Sequence, residues 1–271
     1  VTEAPHLLYV KQDGVAVMTL NRPAARNAIS PQMACLLADA LEDAATDDAV
    51  RVAVLTGAGE KAFCSGGDLA LMLPLMTGAR LPQDDWDHRL LEDARVMARS
   101  AMRGYDFDKP IIAAVNGACL AGGFETMLAT DLRIAADHAI FGLPEVKRAL
   151  LPFAGSMVRL PQQIPHCLAM ELLLLGDAVP AEAALRMGLV NEVLPGPAVL
   201  PRAMELARRL TTNGPVALRE IKRTARASRG LTQQEGYRLE DESKRVVMAT
   251  NDAREGPLAF MEKRPARFTG T

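Results

Sequence analysis

Four cysteines, Cys35, Cys64, Cys119 and Cys167, are scattered through 271 residues with no C-x-x-C pair and no histidine at ligand spacing. That excludes a zinc-finger type of site and a disulfide framework, and it fits a reducing compartment. Charge of one sign is equally scarce: the formal balance is −2 with both signs dispersed, so there is no general footprint for nucleic acid or an anionic membrane. No uninterrupted apolar run reaches the roughly 20 residues of a membrane span, and residues 1–9 lack the basic-then-apolar design of a signal peptide. A cytoplasmic protein is expected. Gly57-Ala58-Gly59 completes no nucleotide-binding glycine motif, Ser65 lies outside any G-x-S-x-G elbow, and His6, His88, His138 and His166 have no evident Ser/Asp context. Nucleotide-loop and serine-hydrolase chemistry are therefore not expected, and the chain has neither a fixed-period repeat nor a low-complexity tract.

What is present alternates. Residues 15–20 form an apolar strand candidate closed by the turn-prone Asn21-Arg22-Pro23. Ser30 before Pro31 has the form of an N-cap and first helical position. Met33, Leu36, Leu37, Ala40, Leu41 and Ala44 then recur at helical spacing to about Thr46. Strand-like segments follow at 50–56, 111–115 and within 132–141, each with a glycine-bearing loop after it. The alternation predicts an α/β fold. From Leu69 to about Leu90 the periodicity weakens, which predicts a flap. Beyond Pro195 the pattern is helical at 203–210, 216–228, 235–249 and 258–263. The expected organisation is a core over 1–195 followed by a carboxyl-terminal helical region over 196–271 that serves oligomerisation and completes the site.

Two glycine turns carry the chemistry. Ser65-Gly66-Gly67-Asp68 follows the second strand, and Asp68 could cap a helix after it. Leu120-Ala121-Gly122-Gly123-Phe124-Glu125 follows the third strand and opens a helix, where N–H groups near Gly122 lack partners and partial positive charge gathers. Glycine lets a ligand approach such peptides closely. If the turns meet, two N–H groups converge on one carbonyl oxygen and stabilise an enolate-like anion. Glu125 lies one helical turn beyond Gly122, in a segment of small apolar residues where a carboxylate is costly unless used or paired. Glu145 is aimed by the Gly142-Leu143-Pro144 turn.

Together with Asn21-Arg22-Pro23, Asn27-Ala28, Phe141-Gly142-Leu143-Pro144-Glu145 and Gly188-Leu189-Val190, these turns resemble the crotonase family across essentially the whole chain. The resemblance is strongest to enoyl-CoA hydratases. It implies a crotonase-like spiral of ββα units with a carboxyl-terminal helical layer, assembled as a homotrimer or a dimer of trimers. It implies a hydro-lyase acting on an acyl-CoA thioester without a metal or redox cofactor. The oxyanion donors fall on the N–H groups of Gly67 and Gly122, and the two catalytic carboxylates on Glu125, mainly for water, and Glu145, mainly for the proton. The coenzyme A surface falls on Ala24, Arg26, Ala28, Ser65, Asp68, Leu69, Phe260 and Lys263, the last two usually serving a neighbouring subunit. Arg26 and Lys263 would meet phosphates.

Four features depart from the family pattern or stand beside it. The stretch from Lys147 to Phe153 is bulkier than the usual glycine-rich turn and borders the expected acyl pocket, and Gly67 stands where alanine is frequent. Met72, Leu73, Leu75 and Met76 would line the acyl side of the flap, although core packing is the ordinary role for each. Arg219, Lys222, Arg223, Arg226 and Arg229 form a basic helix stripe, with Glu220 and Glu240-Asp241-Glu242 as available partners. The alternatives to hydration are an enoyl-CoA isomerase and a non-catalytic acyl-CoA or RNA-binding protein on the same scaffold.

Overall fold

The structure is a computed structural model and describes residues 4–271. Strand β1 (Leu7–Gln12) pairs antiparallel with β2 (Val15–Leu20) across Asp13-Gly14. Both turn residues have positive φ, 52° and 78°, the geometry for which Asp-Gly is the preferred hairpin link. Helix α1 (Pro31–Thr46) starts as expected, the Ser30 side chain accepting the Met33 N–H at 3.1 Å.

The chain then makes the same move three times: a long strand, a short strand, a turn. β3 (Val52–Gly57) is followed by β4 (Ala62–Cys64), and after it come α2 (Met72–Met76), α3 (Asp85–Glu92) and α4 (Ala94–Ser100). β5 (Ile111–Val115), β6 (Ala118–Leu120) and α5 (Gly122–Met127) form the second unit. β7 (Leu132–Ala136), β8 (Ile140–Gly142) and a 3-10 turn at Pro144–Arg148 form the third. The long strands join one six-stranded sheet in the order β1-β2-β3-β5-β7, completed by β10 (Glu192–Leu194); the short ones join a four-stranded sheet, β4-β6-β8, completed by β9 (Val179–Pro180). The strand-like material expected within 132–141 is two strands in different sheets. β3 and β5 are buried along their whole length, which explains why they read as continuous apolar runs and not as alternating ones.

Between β8 and β10 the chain adds α6 (Ser156–Gln163), α7 (His166–Leu175) and α8 (Ala181–Arg186). The carboxyl-terminal helices are α9 (Val199–Thr211), α10 (Pro215–Ala227), α11 (Gln233–Met248) and α12 (Asp252–Met261). α9 lies against β3, β5 and β7 and buries Val199, Ala203 and Ala207 in the main core.

The segment read as a weakly patterned flap holds α2 and the start of α3, with a non-helical stretch at 77–84 between them. Its acidic cluster is an N-cap, Asp84 Oδ1 accepting the Asp87 N–H at 2.8 Å, while buried Asp87 pairs with Arg80. The basic stripe on α10 is largely consumed: Lys222 pairs with Asp131, Arg226 with Asp106 and Asp108, and Arg223 with Glu220. Cys35, Cys64 and Cys119 are buried free thiols, and Cys167 is exposed. Among the described residues no helix is long and apolar enough to cross a membrane.

Candidate active site

Because β4 and β6 are parallel neighbours, the turns that leave them stand side by side. A Cβ built on Gly66 would lie 2.5 Å from Ala121 Cβ and 3.1 Å from Gly122 N; one built on Gly122 would lie 3.6 Å from Gly67 N. The two turns therefore touch backbone to backbone, and Gly66 adopts a φ of 96° to allow it. Gly123 is equally constrained, since a Cβ there would meet Cys64 Cβ and O at 2.5 Å. Ala121 enters α5 at φ 51° and ψ −131°, a conformation that a residue with a side chain adopts only under constraint from its surroundings.

The Ser65–Asp68 turn is held from its other side. Ile29 N–H donates to Gly66 O at 2.8 Å, Asp68 N–H to Ile29 O at 2.9 Å, and Ser65 N–H to Arg26 O at 3.1 Å. These bonds use the Gly66 carbonyl and the Asp68 N–H on either side of the Gly67 N–H but leave that N–H out. Among the described residues, the N–H groups of Gly67 and Gly122 have no protein acceptor. Two adjacent, uncommitted peptide donors facing a cavity suit an oxyanion.

That cavity is about 170 Å³ and brings Gly67, Gly122, Glu125 and Glu145 to one surface. Its remaining wall is mostly apolar, from Met72, Leu73 and Met76 on α2, Met97 and Ala101 at α4, and Leu150, Leu151 and Phe153 before α6. Leu75 is instead packed in a satellite core with Cys35 and Val96. Of the bulky 147–153 stretch, Leu150, Leu151 and Phe153 face the cavity, whereas Lys147 reaches out to Asp177.

The two carboxylates sit in different surroundings. Glu125 is 3% exposed, and its Oε1 accepts both the N–H and the hydroxyl of Ser156, at 3.0 and 2.9 Å. Burial raises its pKa, while the Ser156 and Ala154 peptides, the Ser156 hydroxyl and the Arg159 charge oppose the rise. Glu145 has weaker support: its own backbone N–H and the Arg148 charge favour ionisation, but no donor among the described residues reaches its buried Oε2. Burial, with the Glu125 charge adding to it, pushes Glu145 up to about 7. Burial thus raises both acids, but Glu125 keeps donors that favour its ionised form, whereas Glu145 is placed to hold a proton near neutrality.

The expected coenzyme A residues divide into two groups. Asp68 and Leu69 line the cavity. Ala24 belongs to a 3-10 turn at Pro23–Ala25, while Arg26 and Ala28 sit in the loop bonded to the Ser65 turn. Arg22, which the sequence flagged only as part of a turn, fastens the two loops by donating to Ala28 O at 2.7 Å and to Asp68 Oδ2 at 2.9 Å. Asp68 Oδ1 caps the turn through Ala70 and Leu71 N–H, just ahead of α2. Phe260, 85% exposed on α12, and Lys263, just past it, lie outside the cavity wall. Ser156 and Arg159 carried no local signal in the sequence, because their partner Glu125 is about 30 residues away and is reached only through the fold.

A sequence model of the enoyl-CoA hydratase/isomerase family matches residues 10–271. The chain is 37% identical over 268 residues to enoyl-CoA hydratase EchA19 of Mycobacterium tuberculosis, covering 99% of this chain and 98% of that protein. It is 38% identical over 257 residues to a carnitinyl-CoA dehydratase of Salmonella arizonae, covering 93% and 94%. The crystal structure of enoyl-CoA hydratase EchA1 from Mycobacterium marinum superposes with a TM-score of 0.88 at 38% identity, covering 99% of this chain and 100% of that one. The resemblance in the glycine turns, the repeated strand-strand-turn architecture and these full-length matches agree: the chain belongs to the crotonase, or enoyl-CoA hydratase/isomerase, family.

Proposed function

We propose that the chain is a hydro-lyase that adds water reversibly to a 2-trans-enoyl-CoA, giving the 3-hydroxyacyl-CoA. The observation that carries this reading is the meeting of two uncommitted peptide N–H groups and two unequally held glutamates in one apolar cavity. Relatives named as a hydratase and a dehydratase support water addition or loss on an acyl-CoA as the reaction class.

The thioester oxygen is bound by the N–H groups of Gly67 and Gly122, which stabilise the negative charge that develops on it. Electron withdrawal makes the β-carbon electrophilic. Glu125, ionised, accepts hydrogen bonds from the attacking water and takes its proton; Glu145, protonated, delivers a proton to the α-carbon. Water addition thus moves the pair's single proton from one acid to the other. Ala24, Arg26, Ala28, Ser65, Asp68 and Leu69 form the coenzyme A surface. Phe260 and Lys263, in the helical region 196–271, complete the site of a neighbouring subunit in a trimer or a dimer of trimers.

Incubation with crotonyl-CoA tests the reading. Loss of the conjugated thioester absorbance with formation of 3-hydroxybutyryl-CoA is expected. A lasting absorbance across a panel of enoyl thioesters, with double-bond migration in 3-enoyl substrates, would make the protein an isomerase instead. Tight RNA binding without turnover of any enoyl thioester would make it a binding protein.

A further inference from the structure

Ser156 is fully buried and opens α6, and it meets Glu125 with two donors on the same oxygen. Its Oγ also lies 3.2 Å from the carbonyl oxygen of Pro152. A hydroxyl has one proton and cannot donate to both acceptors at once, but it keeps lone pairs that can accept. With Glu125 ionised, the proton points to Oε1. With Glu125 protonated on Oε2, the neutral Oε1 still accepts the Ser156 N–H, and the hydroxyl is free to turn to Pro152 O. Either state is satisfied without backbone movement, a valuable property for a buried acid that must gain and lose a proton.

We propose that Ser156 is a positioning residue for the reaction, holding Glu125 through both protonation states and fixing it, and not Glu145, as the carboxylate that receives the proton of water. The role rests on the hydratase reading given above. The other charged groups facing Glu125 do not duplicate it. From α6, Arg159 is engaged by the carbonyl oxygens of Ala101 and Met102 and reaches only the backbone oxygen of Glu125, at 3.4 Å. From the turn after β8 comes Glu145, an acid whose own ionisation the Glu125 charge opposes. α4 and the residue after it present the uncharged Ser100 and Ala101 to the cavity. Ser156 occupies Oε1, so chemistry on a ligand falls to Oε2.

The test is a pH titration of the Glu125 carboxyl by difference infrared spectroscopy on protein labelled with ¹³C-glutamate, the band being assigned by its loss in Glu125→Gln. Ser156→Ala and Ser156→Gly both keep the peptide N–H and remove the hydroxyl. In both, the Glu125 midpoint is expected to rise by about one pH unit, and the acid limb of kcat/KM to move with it. kcat should fall roughly tenfold while KM stays within about twofold, because the lost hydrogen bond is to a charged group and not to substrate. An unmoved midpoint in either folded variant would overturn the proposal, as would a rise in KM alone. The infrared midpoint is read without turnover. A wild-type protein that hydrates no enoyl thioester therefore defeats the hydratase reading while leaving the Ser156–Glu125 pairing to be judged on its own titration.

Discussion

A Cβ on Gly66 would stand 2.5 Å from the Cβ of Ala121, closer than two carbon atoms can approach, and Gly66 has a φ of 96°. The contact fixes the separation of the two peptide donors. Gly66→Ala is expected to force the turns apart, destabilise the fold by about 1–3 kcal/mol and lower kcat/KM by on the order of 10² or more. Thermal denaturation and steady-state kinetics check it.

The neighbouring glycine should behave in the opposite way. A Cβ on Gly67 meets nothing nearer than Met72 Cβ at 4.0 Å, and its φ lies outside the left-handed region. Gly67→Ala keeps the N–H and reduces the freedom of the unfolded chain, so stability should rise by about 0.4–1 kcal/mol with kcat/KM within a few-fold of the parent. Denaturant melts with parallel kinetics would show whether a loss of activity contradicts this.

Glu125→Gln and Glu145→Gln preserve side-chain shape and remove proton transfer. Each should lower kcat by on the order of 10²–10⁴, with KM changed far less. Full turnover in both variants would remove the two-carboxylate mechanism.

Addition of water takes up no net proton, so the equilibrium constant does not depend on pH at a fixed acyl-CoA charge state. The profiles of kcat/KM for hydration and dehydration must therefore coincide. On the proposed mechanism the active form is the pair carrying one proton. Since Glu145 titrates at about 7, both profiles should fall as pH rises through that value, and fall again at acid pH once Glu125 is protonated. Rates measured in both directions across pH 4–9 test this.

The same shift has a stability sign. The folded pKa of Glu145, about 7, lies above the model value of 4.5, so between these values the folded state binds more protons and stability falls as pH rises. The penalty is absent below the unfolded pKa and fully present above the folded one. Glu145→Gln should therefore raise Tm at pH 8–9 and leave it nearly unchanged near pH 4. Thermal melts at the two pH values decide it.

Local sequence was sufficient where one segment answers for itself. Ser30-Pro31 set the start of α1, continuous apolar runs marked β3 and β5, and the positions of Gly122 and Glu125 within one helical turn gave half of the site. The three short strands β4, β6 and β8 left no pattern, because three residues are too few for a period to show, and they acquire strand geometry only by pairing with one another. The Asp13-Gly14 signal for the first hairpin was legible but unread.

The alternation of patterns by itself determined an α/β chain, and the order of the motifs carried the resemblance to the crotonase family and, through it, the expectation of donors at Gly67 and Gly122 and acids at Glu125 and Glu145. Tertiary structure alone decided which acid is the better supported. That asymmetry comes from Ser156, delivered to Glu125 across a separation of 31 residues, and from the absence of any corresponding donor at Glu145 Oε2 among the described residues. The ionisation of a carboxylate depends on what its surroundings donate and exclude, and no segment of sequence carries its own surroundings.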